Sequence, residues 1–316
     1  MALANQKKPH WSILGPGAIG CLWAGYWAQQ QQNSSLIGRQ AHPGPLQLLR
    51  HGNTQTFTIE TQTAEQLTQP IDYLLITTKA QQTQPALDSV QPWLSDGAII
   101  IVLQNGMAAT EISTLPQQKL FAATTTDGAH RTRSRHIIHA GIGQTSIGPL
   151  SASAMQFGER IMALLPTQLH INYSDNIRCQ LWQKLAISCA INGLTVLHQC
   201  RNGELLNITQ ARQSISDLCQ EIIAVTQALK LGQWFTQLEH EVEQVLILTA
   251  DNISSMQQDI RQGRRTEINQ INGYLCRQAE QLGIALPHNQ ALLKAVQNIE
   301  ATLDVLPSLP TFHRNS

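Results

Sequence analysis

The chain has 316 residues, a length that favours two domains at roughly 100 to 200 residues each. Hydrophobic residues make up 42% and charged residues only 13%, which allows a large core and argues against a disordered chain. Lys+Arg and Asp+Glu balance at 21 each, so no net field exists to hold nucleic acid or an acidic membrane surface, and a polyanion-binding protein is not expected.

Met1–His10 is polar and runs straight into a short apolar strand, with no room for the hydrophobic region of a signal peptide. No stretch reaches about 18 consecutive apolar residues, so no membrane span is expected and the location read from the sequence is cytoplasmic. Cysteines at 21, 179, 189, 200, 219 and 276 form no C-x-x-C pair and read as free, buried thiols. Gln29–Gln32 reads as solvated surface.

In the first half, short apolar runs alternate with helix-like stretches: Trp11–Leu14, Ser35–Ile37, Tyr73–Thr77, Ala98–Leu103 and Leu120–Thr124. That alternation predicts a parallel sheet covered by helices. Arg131–His139 then alternates in short steps, and Gln144–Ile147 follows Gly141 and Gly143. The two segments read together as a terminal β-hairpin, which makes Arg131, Arg133 and Arg135 a solvated strand face rather than a phosphate site. His130, His136 and His139 read as surface residues of the same hairpin, and no metal site is expected. Beyond about residue 175 the strand signals stop. Helices are predicted over roughly 177–198, 208–231, 236–261, 266–282 and 288–302. The fold class is therefore an N-terminal α/β domain of Rossmann type, 1–175, followed by an all-α domain, 176–316, with the boundary near Ser174–Asn176 and no internal repeat.

Gly15-Pro16-Gly17-Ala18-Ile19-Gly20 is a G-x-G-x-x-G between a strand and a helix-like run, with a second strand ending near Ile37. This is the βαβ context of a dinucleotide fingerprint: Gly15 for the tight turn, Gly17 for approach to a pyrophosphate, Gly20 for helix packing, and the helix N-terminus facing the phosphates. An NAD site usually carries Asp or Glu at the end of the second strand, whereas this chain reads Leu36-Ile37-Gly38-Arg39-Gln40. A guanidinium suits a 2′-phosphate, so NADPH is the expected cofactor.

Helix 177–198 is apolar around most of its circumference, yet Lys184, Ser188 and Asn192 recur at i, i+4, i+8 and stack along one stripe. The pattern alone allows two readings of Lys184: a cation lining a cleft, or a side chain that snorkels to the surface. Asn252 and Ser255 share a helix face at i, i+3, and Glu267 follows Arg264-Arg265. Taken singly, these are solvated helix residues and a helix-start acid.

Together with Thr77-Thr78-Lys79-Ala80, Leu103-Gln104-Asn105-Gly106, Thr124–Gly128, Trp182-Gln183-Lys184-Leu185-Ala186, Asn202-Gly203-Glu204-Leu205, Ser254–Asp259, Thr266-Glu267-Ile268 and Ile271-Asn272-Gly273, these residues recur in an order that resembles the ketopantoate reductase (2-dehydropantoate 2-reductase) family over nearly the whole chain. The resemblance implies NADPH-dependent reduction of ketopantoate to D-pantoate in pantothenate biosynthesis, by a monomer or homodimer that acts on a small molecule. Lys184 matches the family's proton donor. Asn192, Asn202, Asn252 and Ser255 match substrate-binding positions, and Asn105 a position touching both cofactor and substrate. Lys79, Ala129 and Glu267 match cofactor-side positions, Glu267 also lying close to the reacting hydroxyl. Ser188 is a departure, since many members of the family carry Asn there as a substrate contact. That shorter side chain leaves open a reductase of another small 2-oxo acid. A rival of another class is an NADPH-binding redox sensor, against which Lys184, Glu267 and the Asn set argue, because a sensor needs no proton donor.

Overall fold

The structure is a computed structural model that describes residues 9–305. Residues 1–8 of the polar segment Met1–His10 lie outside it. The first apolar run forms β1 (Trp11–Leu14), whose four residues are all buried, as befits a parallel strand covered on both faces. Helix α1 (Ala18–Gln29) follows, with Gly20–Trp27 buried without a break. A helix apolar all round must be covered all round. Two sheets do this here: α1 packs on β2 (Ser34–Ile37) on one side and on β3 (Leu46–Arg50) on the other. Trp27 stacks on Trp11 with ring centroids 4.6 Å apart.

Strand β4 (Asn53–Phe57) pairs antiparallel with β3. The chain then returns through β5 (Thr61–Gln62) and β6 (Ile71–Ile76) to α2 (Thr83–Val90), β7 (Leu94–Leu103) and β8 (Lys119–Thr125). After β9 (Gly128–Arg133) and β10 (His136–Gly141) come β11 (Thr145–Pro149), α3 (Gly158–Met162) and β12 (Ile171–Tyr173). The larger sheet has eight strands in the order β12-β11-β8-β7-β6-β1-β2-β5, and the smaller has four, β4-β3-β10-β9. All pairs of the larger sheet are parallel except β8 with β11. The chain leaves β1 toward β2 and later returns to β6 on the other side of β1, so the direction of winding reverses at β1.

The terminal hairpin differs from the sequence expectation. Gln144–Ile147 does not pair with Arg131–His139; β9 and β10 pair with each other, and β11 joins the larger sheet beside β8. Arg131 and Arg133 are exposed, but Arg135 is buried. Its positive φ of 60° turns the chain between β9 and β10 and sends the guanidinium inward, where it donates to the Ile59 carbonyl at 2.6 Å and to the Thr61 hydroxyl. His139 is buried too, because Tyr26 and Asp127 partner it.

The described residues divide into two compact units between Leu181 and Trp182, within helix α4 (Ile177–His198). The second unit is all-helical, as the change of period predicts. It continues with a 3-10 segment (Asn202–Asn207), α5 (Thr209–Ala228), α6 (Leu238–Leu248), α7 (Ser255–Arg261), α8 (Asn272–Gln281) and α9 (Pro287–Val305). The helix expected over 236–261 is broken. The Ala250 and Asn252 carbonyls accept from the Gly203 and Asn202 amides at 3.1 and 3.0 Å, and Ser254 then caps α7 by accepting the Gln257 amide at 3.0 Å. Asn252 therefore lies between the two helices and shares no helix face with Ser255. The helix expected from 266 starts only at Asn272. The preceding segment is held in irregular form by the Thr266 amide, which donates to Glu300 at 2.6 Å, and by the Ile268 amide, which donates to the Thr266 hydroxyl at 3.1 Å.

Candidate active site

In the first unit, the carboxyl ends of β2, β1, β6 and β7 lie side by side: Leu14 is in register with Ile37 and with Ile76, and Ile76 with Val102. The segments leaving these ends carry Arg39, the glycine loop, Lys79 and Asn105 respectively. In an open parallel sheet this edge, where the winding reverses, is where ligands bind. Gly15 has φ +104° and donates its amide to the Ile37 carbonyl at 2.9 Å. A Cβ there would sit 2.8 Å from the Thr78 nitrogen, so only glycine serves. A Cβ at Gly20 would run into the Gly15 carbonyl and the Thr77 hydroxyl, which ties α1 tightly to β1 and β6. Around Gly17 nothing lies within 4 Å of a Cβ position, and no side chain caps α1 there. An open approach to uncapped helix amides fits a pyrophosphate.

Pro16, Ala18 and Ile19 complete the loop and the first turn of α1. Arg39 is exposed two residues past β2. Lys79 and Asn105 are half-buried, and Ala129 lies on β9 in register with His139. Gln104, whose role the sequence pattern does not reveal, donates to the Thr78 carbonyl at 2.8 Å and so ties the segment after β7 to the one after β6. A buried network also escapes the pattern. Asp127 accepts from the Gly143 amide at 2.9 Å and lies 3.0 Å from His139 Nε2, and the Tyr26 hydroxyl is 2.6 Å from His139 Nδ1. Burial works to raise the Asp127 carboxyl, but the bonds from His139, Gly143 and Thr125 outweigh it and hold it at about 2.

In the second unit, α4 places Lys184, Ser188 and Asn192 on one stripe, each half-buried among the fully buried Leu185, Ala186, Cys189, Ala190 and Ile191. Burial pulls the Lys184 ammonium from 10.5 to about 8, while the negative charge of Glu267 pulls it back up. That direction is the one burial gives a cation, opposed by the charge of an acid. Asn202 is buried, donates to the Thr249 hydroxyl at 2.9 Å, and leaves its side-chain oxygen with no hydrogen-bond partner. Its amide bond to the Asn252 carbonyl brings these two asparagines together. Asn252 and Ser255 are exposed, and the buried Ser254 hydroxyl lies 2.6 Å from that of Thr195 on α4. Asn272, wholly buried, donates to the Cys189 carbonyl at 3.1 Å and to Asn289 at 3.0 Å, which fixes α8 and α9 to α4 beside Ser188. All six cysteines are free thiols. Among the described residues no group of three or more His, Cys, Asp or Glu is placed to hold a metal, and no helix is long and apolar enough to cross a membrane.

A glycine-loop α/β unit followed by a helical unit with a desolvated lysine defines a two-domain, dinucleotide-dependent oxidoreductase. The family profile described as "Ketopantoate reductase PanE/ApbA" matches residues 11–152, and its "C terminal" companion matches residues 176–300. The chain belongs to the ketopantoate reductase family. It is 37% identical over 295 residues to a 2-dehydropantoate 2-reductase of Vibrio cholerae, covering 91% of this chain and 97% of that one. It is 36% identical over 293 residues to the enzyme of the same name from Shigella flexneri, covering 92% and 95%. A crystal structure of a PanE/ApbA family ketopantoate reductase from Ralstonia eutropha superposes with a TM-score of 0.83 at 27% identity, covering 93% of this chain and 99% of that one.

Proposed function

We propose that this protein reduces 2-dehydropantoate to D-pantoate with NADPH, in pantothenate biosynthesis. The observation that carries the reading is the Lys184–Ser188–Asn192 stripe, half-buried on the apolar helix α4, in a chain whose two halves match the two models of this family. In this assignment residues 1–175 hold the cofactor and 176–316 the substrate. Gly15–Gly20 receives the pyrophosphate at the α1 N-terminus, Arg39 pairs with the 2′-phosphate, and Lys79, Asn105, Ala129 and Glu267 line the cofactor side. Bound NADPH supplies the hydride for the C2 carbonyl carbon. Lys184 donates its proton to the carbonyl oxygen as that oxygen becomes an alkoxide, and its charge stabilises the oxyanion beforehand. Glu267 holds Lys184 in the charged form that donation requires. Asn192, Asn202, Asn252 and Ser255 orient the substrate carboxylate and hydroxyl, and Ser188 reaches it through a water where a longer Asn would touch directly. The free thiols fit a reducing cytoplasm, and the chain acts as a monomer or homodimer.

The test is turnover of 2-dehydropantoate against pyruvate and ketoisovalerate, with NADPH and with NADH. The reading expects 2-dehydropantoate and NADPH to be preferred. Equal turnover of the smaller acids would make this a reductase of other 2-oxo acids.

A further inference from the structure

The basic run on β9 has no part in the site described above, yet it lines a cavity. His42, Arg131, Thr132, Arg133 and Ser134 surround a surface pocket of about 330 Å3, and no carboxylate lines it. Two guanidiniums, an imidazole and two hydroxyls with no counter-charge among them are the chemistry that recognises a phosphate monoester. Arg135, third in the run, is turned inward to Ile59 and Thr61 and takes no part.

The pocket's position points to one source for that phosphate. His42 follows Arg39 by three residues, on the segment that leaves β2. Arg131 lies on β9, which packs on α1, and its charge acts on the Cys21 thiol in the first turns of that helix. The Cys21 sulfur in turn lies 3.5 Å from the Pro16 carbonyl, inside the glycine loop. The Pro16 ring closes on Gly38, where a Cβ would come within 2.8 Å of it. The pocket's His42 thus stands three residues beyond Arg39 on the segment after β2, and its arginines on or beside a strand packed against the helix that the glycine loop opens. We propose that His42, Arg131 and Arg133 complete the site for the cofactor's 2′-phosphate, so that the choice of NADPH over NADH is set by the loop after β2 and strand β9 jointly. This inference rests on the NADPH reading above.

The experiment is a fluorescence titration of NADPH and NADH with the wild type, Arg39→Ala, Arg131→Gln, Arg133→Gln and the Arg131→Gln/Arg133→Gln pair, with 2′,5′-ADP and 5′-ADP as competitors. Both arginines are exposed, and circular dichroism controls for folding. Each single variant is expected to bind NADPH roughly tenfold more weakly at low salt, the pair more weakly still, with NADH affinity held within about twofold. The advantage of 2′,5′-ADP over 5′-ADP should shrink in parallel. If Arg39→Ala loses the preference while the β9 variants keep it, the inference fails and the cofactor reading stands. A wild type without preference fails that reading and the inference with it. Inorganic phosphate probes the other source: if it raises the wild-type Tm but not that of the β9 pair, while NADPH affinity is the same in both, the pocket holds a free phosphate ligand and the assignment is overturned.

Discussion

Replacing Lys184 by Arg separates the charge at that position from the proton. Burial brings the lysine from 10.5 to about 8, a change worth about 3 kcal/mol at roughly 1.4 kcal/mol per pH unit. With that value, about nine-tenths of the molecules carry the proton at pH 7, half at pH 8 and about one-tenth at pH 9. A proton donor must be protonated to act, so kcat/KM for ketoacid reduction should be flat below pH 8 and fall about tenfold per unit above it. Arginine keeps the positive charge but does not release its proton in this range. Lys184→Arg should therefore lose about 10² to 10⁴-fold in kcat and, in what remains, lose the basic limb. Glu267→Gln should move the limb to lower pH, because the acid that raises the lysine is gone. Initial rates of NADPH oxidation across the pH range, with cofactor and substrate varied in turn, measure this. The same limb in Lys184→Arg as in the wild type would refute the assignment of the proton to Lys184.

Three further outcomes follow from other parts of the fold. Gly17→Val should abolish NADPH binding by fluorescence titration yet leave circular dichroism and Tm near wild type, since a Cβ at Gly17 meets nothing of the protein within 4 Å. Gly20→Ala should instead lower Tm, because its Cβ would strike the Gly15 carbonyl and the Thr77 hydroxyl. Asp127, held at about 2 in the folded chain against an ordinary 3.8, contributes about 2 kcal/mol that is fully present above the ordinary value and is lost as pH falls through 2. Asp127→Asn should therefore lower stability in a urea titration at pH 7, with the difference from wild type closing at the acid end.

The parts of the fold legible in the sequence are those where burial imposes a local period. Trp11–Leu14 is apolar but for the buried Ser12 because β1 is covered on both faces, and 177–198 reads as a helix because α4 is buried along most of its length. The smaller sheet is not legible. Asn53–Phe57 is polar and mostly exposed, so β4 shows no strand pattern, and β3 pairs with β10 from some ninety positions away. Histidine beside an arginine run reads as surface, and only the fold brings Tyr26 to His139. The break before α7 has the same origin: carbonyls 250 and 252 leave the helical pattern for amides 203 and 202, a distant pairing with no signature in the helix's own period. Within the candidate site, the glycine loop and the Lys184–Ser188–Asn192 stripe are visible in sequence, because each is a spacing on one element. That Glu267 acts on Lys184 is visible only once the irregular segment before α8 has placed it.

The most direct test of the account is to supply purified protein with NADPH and 2-dehydropantoate, beside Lys184→Ala at equal concentration, and to follow cofactor and product together. One pantoate should form for each NADPH oxidised by the wild type, with turnover about 10² to 10⁴-fold lower in a Lys184→Ala protein that still binds NADPH. NADPH oxidation without pantoate, or wild-type turnover from Lys184→Ala, would contradict it.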